Sequence, residues 1–377
     1  MTKFSRNACC AVVAAMHMLL ATSAYGQIRI GQTSGFTGGV AAPVKDINIG
    51  AKLYLDFVNA EGGIGGQRIE LVSLDDQNKV PLAVENATKL AADDSIVALF
   101  LTRGTPHTLA LLPLLASSRI PLVAPSTGAI ALHTPVNPWV FNVRASYQRE
   151  ADRVTRHLGL PGLEKVALLY ANDSFGADAA EGALKVFKEA GKTPAMTLAV
   201  DRDKPDYAAI IPKLIETKPL GILVIASSSS VIACVKALRN AGSQATVATL
   251  SHNAAAGFVT GLGDHAKGVI VSQVFPSERR LAVPMIAEAA RLATAQKVAA
   301  LTPAMLEGFA AAKVLVAGLR RAEKDSKTIT RASLKRALET LNRLDLGGLE
   351  ITYSPTDHTG LDFADLSIIS ADGGFRR

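Results

Sequence analysis

GILVIASSSSVIACVKALRNAG, residues 221–242, contains an apolar run, four serines and an amphipathic segment in direct succession. The run Gly221–Ala226 is short and rich in β-branched side chains, which predicts a strand covered on both faces. Apolar residues in Val231–Ala241 recur at helical spacing, which predicts a helix there. A strand, a polar loop and a helix in this order are the repeating unit of a parallel sheet with crossover helices.

The same unit recurs in two blocks from residue 28 onward. Predicted strands of the first block are Ile28–Gln32, Ile69–Leu74, Ile96–Leu101 and Leu122–Ala124, with helices at Ile47–Ala60, Val80–Ala92 and Thr108–Ser117. The second block has predicted strands Val166–Tyr170, Ala195–Val200, Gly221–Ala226, Thr246–Leu250 and Val269–Val274, with helices at Ala177–Ala190, Tyr207–Glu216 and Val231–Ala241 between them. The remainder is mostly helical, at Pro284–Ala295, Pro303–Glu323 and Thr330–Leu341, and ends with strands Leu349–Tyr353 and Phe363–Ser370. The fold class expected is α/β, with two doubly wound, Rossmann-like lobes.

The composition excludes several classes of protein. Hydrophobic residues make up 49% of the 377 residues and charged residues 19%, which is incompatible with a disordered chain. Beyond residue 26, no uninterrupted apolar run approaches the roughly 18 residues of a membrane span. The basic residues are scattered and only 5% of residues are aromatic, so no nucleic-acid partner is expected.

Residues 1–26 have the pattern of a signal peptide. Lys3 and Arg6 precede the apolar run Ala8–Leu20, and the small residues that follow fit cleavage after Ala24 or Gly26. Cleavage would lower the formal net charge from +7 to +5, because two basic residues are lost and no acidic one is. We therefore expect export to the periplasm.

Polar side chains and glycines follow the carboxyl ends of several predicted strands, where ligands of open α/β sheets collect. Hydroxyls and free backbone N–H groups at these ends suit a carboxylate or another acceptor-rich group. Ordinary helix capping by the same residues is the alternative. The candidates are Thr102, Gly104 and Thr105 after one strand, and Ser126, Thr127 and Gly128 after the next.

The sequence has few combinations of residues that are typical of catalytic sites. We therefore expect that the protein is not an enzyme and that it has no cofactor and no metal site. The 7 histidines include no pair with metal-ligand spacing, and Cys234, the single cysteine beyond residue 26, has no partner for an intramolecular disulfide. Ser126 lies in Pro-Ser-Thr-Gly and not in the Gly-x-Ser-x-Gly elbow of a hydrolase. His107 and His252 stand near the presumed cleft, where a polar loop histidine is a commoner role than a general base.

Several motifs, taken in their order and spacing, resemble the leucine/isoleucine/valine-binding protein family, the periplasmic substrate-binding components of ABC importers. The resemblance covers essentially the whole chain after residue 26. The motifs are Ile28-Arg-Ile30-Gly, Thr37-Gly38, Asn59-Ala-Glu61-Gly-Gly63-Ile64, Leu74-Asp75-Asp76, Tyr170-Ala-Asn172-Asp173-Ser-Phe175-Gly176, Glu307-Gly308-Phe309-Ala310-Ala311 and Gly347-Gly348-Leu349.

This resemblance implies a type I periplasmic binding fold, in which two lobes are joined by three crossover segments and close on a ligand between them. The crossovers would fall near Val143–Ala145, Ser272–Val274 and Ile351–Tyr353. The first lobe would comprise residues 27–144 and 273–351, and the second residues 145–272 and 352–377.

The resemblance also extends the candidate site into the second lobe, where Tyr147 and Phe175 would pack against the ligand. The positions at which amino-acid-specific members hold the ligand ammonium are Ser228 and Ser251 here, and neither serine can neutralise that charge. Asp173 could supply the charge or cap the helix that follows it. Arg144 at the hinge could reinforce an anion or form a salt bridge.

The function predicted is capture of a small polar carboxylate-type solute, a branched-chain or other amino acid or a related organic acid, for an inner-membrane ABC permease. Two alternatives stay open at this point. One is a ligand sensor of the same fold, with an amide- or urea-type ligand, which would not feed a transporter. The other is a secreted α/β hydrolase, whose turnover Ser126→Ala would abolish.

Overall fold

The computed structural model describes residues 26–377, and the predicted signal peptide lies outside the described residues apart from Gly26. Among the helices of residues 26–377, none combines the length and apolar character that crossing a membrane requires.

The first sheet contains only parallel strands. Its order is β2-β1-β3-β4-β5, so the strand order reverses between the first and third strands, which is where such sheets bind ligands. The strands are Ile28–Ser34 (β1), Ile69–Asp75 (β2), Ile96–Phe100 (β3), Leu122–Val123 (β4) and Val140–Phe141 (β5), and the helices that connect them are Ala41–Ala60 (α1), Val80–Ala92 (α2) and Thr105–Ser117 (α3).

The second sheet follows the same plan and adds two antiparallel strands at one edge. Its strands are Val166–Ala171 (β6), Met196–Val200 (β7), Gly221–Ile225 (β8), Thr246–Thr249 (β9) and Ile270–Gln273 (β10). A hairpin of Leu344–Asp345 (β11) and Glu350–Ile351 (β12) precedes the edge strands Asp365–Ile369 (β13) and Phe375–Arg376 (β14). The sheet order is β14-β13-β10-β9-β8-β6-β7.

Helices of the second half are Tyr147–Leu158 (α4), Ser174–Glu189 (α5), Tyr207–Glu216 (α6), Ser228–Asn240 (α7), Ala256–Leu262 (α8), Pro284–Ala295 (α9), Pro303–Ser326 (α10) and Arg331–Glu339 (α11). Helix α4 was not predicted from the sequence, and α1 begins six residues before the predicted Ile47. Pro43 does not prevent the earlier start, because the first turn of a helix needs no backbone donor there.

The chain passes between the two lobes three times. After β5 it enters α4, which packs on the second sheet, and after β10 it returns to α9 and α10, which pack on α1. The third passage follows a segment in which Leu361 N–H donates to the carbonyl of Val143 (3.0 Å) and Asn142 N–H to the carbonyl of His358 (3.0 Å). This arrangement confirms the predicted fold class, while the residue bounds of each lobe stay a prediction.

Helices α1 and α10 cross at two facing glycines. A Cβ atom added to Gly308 would lie 1.8 Å from the carbonyl oxygen of Ile47, and one added to Gly50 would lie 1.8 Å from that of Met305. Side chains are thus excluded at the crossing, and the backbones of an early and a late helix are in direct contact. Through this contact the late helix α10 packs on the first lobe, although the second lobe lies between α1 and α10 in the sequence.

We predict that Gly308→Ala lowers the free energy of unfolding by about 2–3 kcal/mol, because the methyl group must force the two backbones apart. Urea denaturation measures the change. Gly261→Ala is the matched control, since its added Cβ would meet the mobile Cδ1 of Ile232 at 2.5 Å and not backbone. Equal, small losses in both variants would contradict the close crossing.

Candidate ligand-binding site between the lobes

A cleft lies between the carboxyl ends of the two sheets, at the point where each reverses its strand order. The first lobe contributes Val40, Asn78 and residues 103–106 to its lining, and the second contributes Tyr147, Ala171, Asp173, Phe175, Arg202, Ser227 and His252.

Arg103 places a buried cation on the wall of this cleft. Its guanidinium donates to Ser126 Oγ (3.1 Å) and, across the cleft, to the backbone carbonyl of His252 (2.9 Å). In residues 26–377, no carboxylate oxygen lies within 4.0 Å of it. Burial lowers the pKa of Arg103, since neutral partners replace little of its hydration. Two of its five N–H donors are used in these bonds, which leaves donors for an anion.

A buried ion network lies behind Arg103. Ser126 donates in turn to Glu307 (2.7 Å), and Glu307 pairs with Arg144 at 3.4 Å. Arg144 also pairs with Glu150. Although burial opposes its charge, the two glutamates raise the pKa of Arg144, so it stays ionised. Of the two roles considered for Arg144, the structure shows the hinge salt bridge.

Glu150 draws further segments into this network. Its second carboxylate oxygen accepts from the backbone N–H of Ser251 (2.9 Å) and from the Ser272 hydroxyl. Ser251 Oγ in turn accepts from Arg144 (2.8 Å). The network therefore connects α4 with the ends of two neighbouring strands of the second sheet.

Aromatic rings form the opposite wall. Tyr147 and Phe175 meet edge to face with 4.9 Å between ring centroids, and Phe175 meets His252 at 4.8 Å. The guanidinium of Arg144 lies 4.6 Å from the centre of the Tyr147 ring. Such contacts fix the rings and present an apolar surface beside the Arg103 cation.

His252 is held neutral. Burial, followed by the charge of Arg103, lowers its pKa to about 3. Its Nε2 lies 2.8 Å from the carbonyl oxygen of Ala226, so Nε2 carries the proton and donates. Near the cleft, burial and the charge of Arg202 lower the pKa of His107 to about 4.

Asp173 has both of its carboxylate oxygens occupied. One accepts from the N–H of Gly176 (2.8 Å), which caps α5, and the other pairs with Arg202. Arg202 also donates to Asn78 of the first lobe (3.2 Å). The structure therefore shows the capping role that was one alternative for Asp173, with Arg202 as its counter-ion.

The residues predicted from the sequence occupy several environments. Gly104, Thr105, Tyr147 and Phe175 line the cleft. Ser126 and Ser251 bond the two buried arginines, and Thr127 Oγ1 lies 2.7 Å from Thr105 Oγ1. Ser228 donates to Asn253 (2.6 Å), Gly128 accepts from the N–H of Tyr147 (2.7 Å), and Thr102 Oγ1 is buried without a partner among the described residues. Contact of these residues with a ligand stays a prediction.

The sequence analysis missed Arg103, Arg202 and Asn78 as lining residues. Arg103 carried a recognisable signal, because a charged residue directly after a fully apolar strand lies at the carboxyl end of the sheet. Arg202 and Asn78 lie in loops without a motif, and only the packing of the two lobes brings them together.

We predict that His252 weakens the protein as pH falls. In the unfolded chain His252 is protonated below its ordinary pKa of about 6.5, whereas in the folded chain it stays neutral down to about pH 3. The free energy of unfolding therefore drops as pH falls through this window, by up to about 1.4 kcal/mol per pH unit from this group. Urea denaturation at pH 6, 5 and 4 measures this dependence. In His252→Gln, the free energy of unfolding should fall less steeply with falling pH than in the unaltered protein. The exposed His157→Gln should leave this dependence on pH unchanged, and an unchanged dependence in His252→Gln would contradict the neutral assignment.

Known proteins resemble this chain along nearly its whole length. A profile described as periplasmic binding protein matches residues 27–369. A Leu/Ile/Val-binding protein homolog from Brucella melitensis is 24% identical over 346 residues, 89% of each chain. A substrate-binding periplasmic protein from Ralstonia solanacearum superposes with a TM-score of 0.84 at 30% identity, covering 93% of this chain and 99% of that one. The structure of a branched-chain amino acid ABC transporter from Thermus thermophilus with bound valine superposes with a TM-score of 0.80 at 20% identity. This match covers 93% of this chain and 95% of that one.

The profile match spans the first sheet, all of the second sheet except β14, and the three passages between the lobes. The structural matches share the two-lobed architecture with parallel sheets. The chain belongs to the periplasmic binding protein family, and its two lobes have the type I fold.

Proposed function

We propose that this chain captures a small carboxylate-bearing solute in the cleft between its lobes and delivers it to an ABC importer. The observation that carries the proposal is the buried guanidinium of Arg103, which lines the cleft with no carboxylate of residues 26–377 within 4.0 Å. A ligand carboxylate would supply a charged acceptor for its remaining donors.

Groups around Arg103 suit the same ligand. Gly104 and Thr105 follow it on the wall, at the start of α3, where the positive end of the helix dipole and the Thr105 hydroxyl would favour an anion. The Thr105 hydroxyl is held by its contact with Thr127. These groups support the carboxylate anchor predicted from the sequence, to which Arg103 would add a guanidinium.

Contacts between the lobes support a closing motion. Arg103 reaches His252 across the cleft and Arg202 reaches Asn78, while Asp46 of α1 accepts from the N–H of Ala256 at 2.9 Å. A ligand that bonds both walls would favour this closed arrangement over an open one. The closed surface is what an importer would recognise.

The alternatives have less support. A hydrolase would need a base beside the Ser126 hydroxyl, which bonds Arg103 and Glu307. The Glu307 carboxylate is poorly placed to be that base, because it is paired with Arg144. The proposal differs from the sensor alternative in one respect, because only a transport protein delivers its solute to an importer. Cells lacking this protein should lose uptake of the labelled solute, and uptake in unimpaired amounts would contradict the transport role.

We also propose that the protein acts in the periplasm after cleavage of residues 1–24 or 1–26. The family is periplasmic, and the N-terminal pattern fits export. The intact mass of protein released from the periplasm should correspond to a chain that begins at Tyr25 or Gln27.

Arg103→Gln should weaken binding of the solute by about 10–100-fold, since a hydrogen bond to a charged group is worth ~1.5–3 kcal/mol. A thermal-shift screen of amino acids, keto acids, aromatic acids, amides and urea identifies the solute, which should add ~2.7 kcal/mol of stability at 100 times its dissociation constant. Calorimetry then compares the variants.

The exposed Arg149→Gln, in the first turn of α4, is the matched control and should bind as the unaltered protein does. Unchanged affinity in Arg103→Gln would show that the anchor lies elsewhere.

A further inference from the structure

We propose that the solute carries no ammonium group, and is an organic acid with a small apolar body in place of an amino acid. This inference rests on the proposed function, because it concerns the other end of a ligand whose carboxylate binds Arg103. It follows from where the acidic side chains around the cleft are bonded.

Three carboxylates in the cleft or in the ion network behind it already have guanidinium partners. Glu150 and Glu307 share Arg144, and Asp173 pairs with Arg202. Of the acidic side chains in residues 26–377, Asp173 alone lines the cleft. An amino acid would have to take this carboxylate from Arg202 or leave its ammonium unpaired in a closed site, and both are unfavourable.

Two other buried or half-buried carboxylates are also bonded to protein groups. Asp76 accepts from Asn78 N–H (2.9 Å) and from the Thr33 hydroxyl (3.1 Å). Asp178 accepts from the backbone N–H of Ile130 at 2.9 Å, which is a contact between lobes. Neither carboxylate lines the cleft.

Aromatic faces offer little compensation. One guanidinium, that of Arg144, already lies 4.6 Å from the centre of the Tyr147 ring. Phe175 is engaged edge to face by both Tyr147 and His252. Both histidines near the cleft lie close to arginines, which would repel a second cation.

The rest of the cleft is suited to an apolar body. Val40, Pro106 and Ala171 line it together with Tyr147 and Phe175. An anionic head at Arg103 and an apolar remainder against these side chains would satisfy both kinds of surface.

Matched ligand pairs test the inference directly. Protein freed of bound solute by unfolding and refolding is titrated calorimetrically with leucine and 4-methylpentanoate, and with phenylalanine and 3-phenylpropanoate. Each pair shares a carboxylate and a carbon skeleton and differs in the ammonium. We expect at least one acid to bind 10-fold or more tightly than its amino acid. The inference would be overturned if both amino acids bound as tightly as their matched acids or more tightly, or if none of the four compounds bound.

Arg202→Gln tests the reason for the selectivity. This change frees Asp173 to accept an ammonium, so the preference for the acid over its amino acid should shrink, whereas Arg149→Gln should preserve it. An unchanged preference in Arg202→Gln would overturn the role assigned to the Asp173–Arg202 pair.

The outcomes distinguish the inference from the proposed function. Loss of affinity in Arg103→Gln, together with preferred binding of amino acids, would retain the carboxylate anchor and reject the ammonium-free solute. Unchanged affinity in Arg103→Gln would reject the anchor itself.

Discussion

The pairing of the buried Arg144 guanidinium with Glu150 and Glu307 is the interaction on which the candidate site depends. Burying any one of these ions without its partner would cost several kcal/mol, so the three must meet for the chain to fold as it does. They come from the first passage between the lobes, from α4 and from α10. Their meeting fixes how the late helices return to the first lobe and where the second sheet begins.

The network also determines which charges remain for a ligand. Glu307 holds Ser126, and Ser126 holds Arg103, so a residue on the cleft wall is positioned by residues that do not touch the cleft. Both glutamates pair directly with Arg144, whereas the groups bonded directly to Arg103 are neutral and the charge of Glu307 reaches it through Ser126. The same network therefore makes one arginine structural and leaves the other facing the cleft.

Much of the fold could be predicted from the sequence, because strand–helix alternation is a local pattern. Runs such as Ile96–Phe100 and Gly221–Ile225 are buried along their whole length, as their composition predicts. Helix α4 was missed although Tyr147, Ala151, Val154 and Leu158 recur on one face, because charged residues fill the positions between them. The ion pairs could not be predicted, since Arg144 and Glu307 are 163 residues apart and carry no motif that connects them.

Two lobes closing on a carboxylate held by Arg103 would unite the family fold, the buried cation and the contacts across the cleft. A crystal structure with a bound carboxylic acid tests this most directly. It should show the ligand carboxylate at ~2.8 Å from the Arg103 guanidinium, with the carbon skeleton against Phe175. A carboxylate bound elsewhere, with Arg103 still bonded only to Ser126 and the carbonyl of His252, would contradict the account.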